Sequence, residues 1–376
     1  MKLVKSLAVK AASTGANFLY FFLKLLPNKN KITFISRGNT FTSIDFKLLS
    51  KEIKSLDKEV KIIFLNHPIE NKIIYIFKIA QQMFNIATSR AVILDTYNIP
   101  ISILSHRKGL AIIQIWHALG AFKSFGLLAI GKSEGSSQEI ASAMKMHKNY
   151  TYVSCASETM GEIYQKAFGV SGSEIVLSGS PRVDYLKDIE IQSAQKKSLR
   201  EKYSIPNHKK VILFTPTFRK NSAIPVEKLI SEIDFDKFVL VFRKHPLDRK
   251  TFVNESRVII PDENEAIELL AIADYLITDY SAVVFEAVVM DIPCYFWVYD
   301  QSDYKTSRGF LMDFENEAPG KLYSNPGTLI KDFNPADINS PKFTSFKNKY
   351  LQTLTFNNSQ TIAELALKKK PSTTDI

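Results

Sequence analysis

Short apolar runs rich in β-branched residues recur along the chain with longer stretches of helical periodicity between them. The first group is Ile32–Ile35, Val60–Leu65, Ala91–Leu94, Leu110–Ile115, Tyr150–Val153 and Glu174–Leu177. The second is Lys210–Phe214, Lys237–Phe242, Arg257–Ile260, Tyr275–Thr278 and Pro293–Val298. Near-continuous apolar runs of this kind predict strands buried on both faces, and their alternation with helices predicts the α/β class with parallel sheets. Between strands, Ile73, Ile76, Phe77, Ala80, Met83, Phe84 and Ala87 recur at helical spacing, so Asn71–Ala87 is predicted as a helix with a core-facing apolar stripe. The polar stretch Ser193–His208, ending in Ile205-Pro206-Asn207, is predicted as the linker between two α/β halves. The tail Phe346–Lys370 predicts closing helices and then a frayed basic end. The expected divisions are an N-terminal segment 1–30, a domain over 31–195, a second domain over 205–345 and a closing block over 346–376.

Composition narrows this picture. A chain of 376 residues with 45% hydrophobic and 23% charged side chains is globular and long enough for two cores. Cys155 and Cys294 stand far apart in apolar surroundings, which argues against a disulfide framework or a thiolate metal site and for a reducing compartment. The net charge of +11 favours anionic partners. An RNA-binding module would share that charge, but the aromatic residues fall mostly in apolar strand and helix patterns and no RNP-like or KH-like motif occurs, so no nucleic-acid partner is expected. Residues 1–31 hold six lysines and no acid, and the uncharged part, Ala11–Leu23, has thirteen residues. A bilayer span needs about 20. The segment is therefore predicted either to lie as a basic apolar helix on an anionic membrane or to pack as a first helix on its own domain.

Ligands of open α/β sheets bind beyond the carboxyl ends of the strands, so the residues that follow each run carry the candidate chemistry. Leu110–Ile115 leads into Trp116-His117, Lys237–Phe242 into Arg243-Lys244-His245-Pro246, and Tyr275–Thr278 into Asp279-Tyr280-Ser281. Ser281 stands where a helix is expected to begin, either as a plain N-cap or beside free N–H groups that attract phosphate. Asp234-Phe235-Asp236 matches a D-x-D metal pattern but precedes a strand, which favours a solvated turn.

The ordered set Trp116-His117, Gly179-Ser180-Pro181-Arg182-Val183-Asp184, Thr215-Pro216-Thr217-Phe218-Arg219, Arg243–Pro246, Thr278–Ser281, Tyr299-Asp300 and Arg308-Gly309-Phe310 through Ala318-Pro319-Gly320 resembles the CDP-glycerol glycerophosphotransferase family of teichoic acid synthesis. The resemblance spans about residues 30 to 350. It implies a GT-B-like arrangement of two Rossmann-like domains with a cleft between them, the donor being held mainly by the C-terminal one. The implied reaction moves a polyol phosphate from CDP-glycerol or CDP-ribitol to a hydroxyl of a polyprenyl-diphosphate-linked saccharide or glycolipid, releasing CMP, at the cytoplasmic face of the membrane as a peripheral protein. By the same resemblance His117 is the base, and His245 is a second catalytic and donor-contacting residue. Arg243 and Arg308 face the diphosphate, and Glu286 is a candidate for the ribose hydroxyls. Thr215, Arg219, Thr278, Asp279 and Ser281 lie on the donor side. Lys123 and Arg182 are candidate acceptor or phosphate contacts, although Arg182 and Arg219 could equally pair with an acid such as Asp184. No cofactor and no metal are expected, because cationic side chains can serve where Mg²⁺ serves elsewhere.

Two departures bear on the acceptor. Where many members continue Gly-Thr-Pro-Leu-Lys, this chain has Ala118-Leu119-Gly120-Ala121-Phe122-Lys123 and then the insert Ser124–Lys148; Phe285-Glu286 replaces the common Phe-Asp. In length the chain resembles the family's short priming enzymes more than its long polymerases. A GT-B glycosyltransferase using a nucleotide sugar is the rival expectation, distinguished by its donor.

Overall fold

The computed structural model describes residues 2–38, 41–66, 72–132, 135–220, 222–245, 247–261, 265–301, 309–355 and 357–368. The chain forms two compact units. The first comprises Met1–His117, Ser124–Asp184 and Thr353–Ile376; the second comprises Ala118–Lys123 and Tyr185–Gln352.

The first unit holds β1 (Lys29–Ser36), β2 (Lys61–Asn66), β3 (Ser89–Leu94), β4 (Ala111–Gln114), β5 (Tyr152–Ser154) and β6 (Ile175–Val176), in the order β2-β1-β3-β4-β5-β6. The second holds β7 (Lys210–Phe214), β8 (Phe238–Phe242), β9 (Tyr275–Thr278), β10 (Cys294–Trp297) and β11 (Leu322–Tyr323), in the order β11-β10-β9-β7-β8. Every ladder is parallel. Parallel neighbours require crossover helices, which cover the sheet and account for strands such as β4 and β9 being buried along their whole length. The chain reverses direction across the sheet between β1 and β3 in the first unit and between β7 and β9 in the second, and such reversals open a crevice at the carboxyl ends of the strands.

Ten of the eleven expected strands form. Arg257–Ile260 does not: it makes a single parallel bridge between Ile259 and Val241 before Pro261, which has no N–H to extend a ladder. The expected linker at 193–208 is instead largely helical. Helix Ile189–Lys202 is capped by Asp188, whose side chain accepts from Ile191 N, and carries Arg200 and Lys202 in its last turn, where cations suit the helix dipole. Its polarity reflects exposure, since Leu199 is its one buried residue. The structure thus divides the chain at Asp184/Tyr185 and not at 195–205. The tail does not form one closing block. Helix Pro341–Tyr350 stays in the second unit, whereas helix Asn358–Leu367 returns to the first and packs Ile362, Ala363 and Ala366 into the core around Phe34, Phe46, Ile93 and Ile113. The second core gathers Phe214, Phe242, Ile277, Trp297 and Leu329.

The first helix, Lys2–Leu23, packs on its own domain along one face. Tyr20 is buried with its hydroxyl 3.0 Å from His106 Nδ1, and Asn17 Nδ2 donates to Ile103 O at 2.9 Å. Phe18, Leu19, Phe21 and Phe22 on its other face are each more than half exposed. Helix Lys72–Thr88 departs from the sequence expectation in a related way: Met83 and Ala87 are buried, but Ile76, Phe77 and Ala80 face outward and Phe84 is partly exposed, so among its described side chains the stripe faces the core toward the C-terminal end, while the side chain of Ile73 lies outside those described. Among the described residues no helix is long and apolar enough to cross a membrane.

Candidate active site

In the first unit the end of β4 is turned sharply by Trp116, which holds φ at +58°, a conformation a bulky L-residue seldom adopts. Its N–H donates to Gln114 Oε1 at 2.9 Å, and Gln114 is itself fixed by donating to Thr96 O and the Tyr150 hydroxyl. The indole stacks on Phe125 at 5.1 Å and meets Phe168 edge-on at 5.2 Å. These contacts hold the strained turn, and the turn presents His117 with an exposed ring. His117 Nδ1 lies 3.1 Å from the carbonyl oxygen of Asp95. A carbonyl can only accept, so Nδ1 carries a proton and in the neutral ring Nε2 holds the lone pair, the tautomer a general base requires.

Asp95 follows β3 and is itself buried. Burial pushes its carboxyl up to about 7, against hydrogen bonds from the Ser36 and Thr96 side chains that hold it down. Asp95 was not among the sequence candidates, although it directly follows Ala91–Leu94 and the same strand-end rule would have found it. Arg37, after β1, places its guanidinium 5.2 Å from the Tyr97 ring centre. The Gly179–Asp184 motif makes contacts within the first unit. Arg182 pairs with the buried Asp45, Nη2 to Oδ2 at 2.5 Å, and not with Asp184. Asp184 caps the returning helix by accepting from Asn358 N and Ser359 N. Gly179, at φ +68°, lies where a Cβ would overlap the Asn358 side chain.

In the second unit, Asp279 after β9 accepts from Thr217 N at 2.9 Å and Thr217 Oγ1 at 2.9 Å and pairs with Arg219 Nη2 at 2.9 Å. Arg219 also grips Asp300 through Nε at 2.6 Å and Nη2 at 2.9 Å. Thr278 Oγ1 donates to Thr215 O at 2.7 Å. Arg219, Thr278 and Asp279 therefore brace the Thr215–Arg219 loop against the end of β9. The Thr215 hydroxyl is buried and meets no partner among the described residues.

His245, after β8, has the opposite tautomer to His117. Leu247 N donates to its Nδ1 at 3.1 Å, so in the neutral ring Nε2 carries the hydrogen and is a donor. Burial, then the charges of Lys123 and Arg243, push its pKa below the ordinary histidine value, which keeps the ring neutral near pH 7. Phe218 stacks on it at 5.4 Å. Lys123 arrives with the segment Ala118–Lys123, which enters the second unit directly after His117. Phe122 is buried against Phe285, Phe314 and Phe346, Leu311 N donates to Phe122 O at 2.8 Å, and Lys123 bridges to Phe310. Gly120 permits the approach: a Cβ there would lie 2.2 Å from the Phe285 ring. The departure from Gly-Thr-Pro-Leu-Lys is thus an aromatic anchor.

Ser281 is not the N-cap. Helix Val283–Val289 has Ala282 in that position, with Ser281 Oγ 3.5 Å from Val283 N. Glu286 is buried on that helix, and Arg308 lies outside the described residues. Asp234 pairs with Lys237 and accepts from Asp236 N in the turn before β8; among the described residues no group of three potential metal ligands comes together.

Two parallel α/β units with polar groups gathered at their strand ends make this a GT-B-like protein. Residues 18–368 match the family described as CDP-Glycerol:Poly(glycerophosphate) glycerophosphotransferase, and the chain belongs to that family. It is 30% identical over 367 residues to the teichoic acid poly(ribitol-phosphate) polymerase of Bacillus spizizenii, covering 93% of this chain and 58% of that protein. It is 30% identical over 319 residues to the teichoic acid glycerol-phosphate primase of the same organism, covering 81% of this chain and 80% of the primase. The structure of the wall teichoic acid polymerase TagF superposes with a TM-score of 0.72 over 97% of this chain and 96% of that one, at 20% identity.

The His245 geometry carries an expected result. His245→Ala weakens donor affinity and turnover together, by about 10-fold or more, as loss of a hydrogen bond to a charged group should. His245→Gln, which keeps an N–H donor, recovers part of the affinity. Titration of a CDP-polyol against both variants checks this, and unchanged affinity in His245→Ala would return the ring to a structural role.

Proposed function

We propose that this protein transfers a polyol phosphate from a CDP-polyol, with CDP-glycerol favoured over CDP-ribitol, to a hydroxyl of a polyprenyl-diphosphate-linked saccharide or glycolipid and releases CMP. The observation that carries the proposal is the pair of strand-end imidazoles in opposite tautomers. Attack of a hydroxyl on phosphorus needs a lone pair to take its proton and donors around the phosphate oxygens that gain charge. His117 Nε2 offers the lone pair; His245 Nε2–H offers a donor, with Arg243 and Lys123 as neighbouring cations. The hydroxyl proton passes to Nε2, its oxygen bonds to phosphorus, and CMP leaves with the electrons of the broken P–O bond. Arg308 and Ser281 complete the proposed donor side, and Glu286 faces the ribose. Incubating the purified protein with a CDP-polyol panel and a defined lipid acceptor, with mass analysis of products, tests the proposal; transfer from a UDP- or GDP-sugar in place of CDP-polyols would replace it with the glycosyltransferase alternative.

No metal takes part in this scheme, so activity is expected to survive EDTA. Full loss on chelation, restored by Mg²⁺ or Mn²⁺, would return Asp234 and Asp236 as ligands.

The membrane is the proposed location of the acceptor, with the protein docked peripherally at its cytoplasmic face. The outward Phe18, Leu19, Phe21 and Phe22 are joined by Ile76 and Phe77 on the helix packed beside them, and Lys10, Lys24 and Lys78 supply positive charge. Deleting the first helix would remove the buried Tyr20, so surface substitutions are the cleaner test. Phe21→Glu with Phe22→Glu is expected to abolish flotation with anionic vesicles while preserving turnover of a water-soluble acceptor; equal loss on both would place the helix in the fold alone.

A further inference from the structure

The strand-order reversal of the first unit lies between β1 and β3, the place where open parallel sheets take ligands. β1 delivers Ser36 and Arg37 to it, and β3 delivers Asp95 and Thr96. Asp95 is 5% exposed, yet its Oδ1 has no hydrogen-bond partner among the described residues. Among the described residues its carboxyl is held by the Ser36 and Thr96 side chains. The Arg182 guanidinium, whose charge reaches it, is committed to Asp45, and Asp45 adds a second negative charge. A buried carboxyl oxygen left unmet is unfavourable, and a residue serving the core alone would be better as an amide or an apolar side chain. The same residue's carbonyl orients His117, so the unmet oxygen and the proton-accepting Nε2 are carried on adjoining groups.

Resting on the transfer reaction above, we propose that Asp95 contacts the acceptor. Its Oδ1 receives a hydroxyl of the terminal polyol or sugar and thereby sets the neighbouring, attacking hydroxyl against His117 Nε2. Asp95 exchanges no proton in the step. A hydroxyl donated to Oδ1 favours the ionised carboxyl, so docking offsets the burial that raises it.

The test uses the full chain with CDP-glycerol and a soluble acceptor analogue ending in glycerol phosphate. Asp95→Ala is expected to raise the acceptor KM about 10- to 100-fold, the loss of a hydrogen bond to a charged group. The donor KM stays within about twofold, because the change removes a contact to the acceptor and none to the nucleotide. Asp95→Asn, which offers an amide to the same hydroxyl, falls between. Its melting temperature separates this role from a structural one. The folded carboxyl, raised to about 7 against about 3.9 unfolded, binds its proton more tightly than the unfolded chain. It therefore loses stability as pH rises from 4 to 7, a loss that asparagine does not suffer. Asp95→Asn should melt at or above wild type at pH 8. A normal acceptor KM in Asp95→Asn and Asp95→Ala, an equal loss on donor and acceptor, or unfolding of both variants overturns the assignment. Absence of any CDP-polyol transfer by the wild type overturns the reaction itself and this assignment with it.

Discussion

Replacing His117 by alanine should lower transfer by about 100-fold or more while donor affinity stays within about twofold, because a general base acts in the transition state and makes no ground-state contact with the nucleotide. In the neutral ring, the hydrogen bond from Nδ1 to the Asp95 carbonyl assigns the lone pair to Nε2. His117→Gln should not rescue, since an amide can occupy the space but cannot accept the proton. Steady-state turnover paired with equilibrium titration of a CDP-polyol makes the comparison, and near wild-type turnover in His117→Ala would remove the base assignment. The turn that presents the ring adds a second signature. Trp116→Gly relieves the positive φ yet removes the contacts on Phe125 and Phe168, so it should reduce turnover without reducing donor binding.

Arg219→Ala should destabilise the protein by roughly 3–5 kcal/mol, the range for breaking a buried ion pair from one side. Arg219 is 9% exposed and Asp279 is 1% exposed, so removal of the guanidinium leaves a buried carboxylate whose neighbours on the loop and turn, Thr217 N, Thr217 Oγ1 and Tyr280 N, are all uncharged donors. Donor binding should fall as well, because Thr215 and Phe218 sit on the loop that this pair braces. Arg219→Lys should recover little, since an ammonium cannot grip Asp279 and Asp300 together as the fork does. Denaturant unfolding gives the first number and titration the second. A fold as stable as wild type with lost donor affinity would move Arg219 into direct contact with the phosphates.

Much of the candidate site is legible in the sequence because strand ends are local features. The runs before Trp116, Arg243 and Asp279 mark their own termini, and the rule that ligands gather beyond the carboxyl ends then selects His117, Arg243 and His245 without knowledge of the fold. Arg182 was open between phosphate and an acid, and the acid that claims it, Asp45, stands 137 positions away. Ser281 was misplaced by a single residue, which is within the ordinary uncertainty of a helix start but decides whether a side chain caps it.

Local pattern by itself determined the two parallel-sheet halves and most of their strands, with Lys210–Phe214 and Tyr275–Thr278 matched end to end. An apolar run between polar turns encodes its own burial whatever its partners. The tertiary structure alone decided what lies next to what. It returned Asn358–Leu367 to the first core, sent Ala118–Lys123 into the second unit behind a buried Phe122, and turned Phe18–Phe22 partly outward. It also fixed the tautomer of His117, which depends on Asp95 O, 22 positions away beyond the end of β3, meeting the ring, whereas that of His245 follows from Leu247 N two residues on. Periodicity reports that a face is apolar and a ring is present, whereas the identity of the neighbour is set by long-range packing that no window of sequence contains.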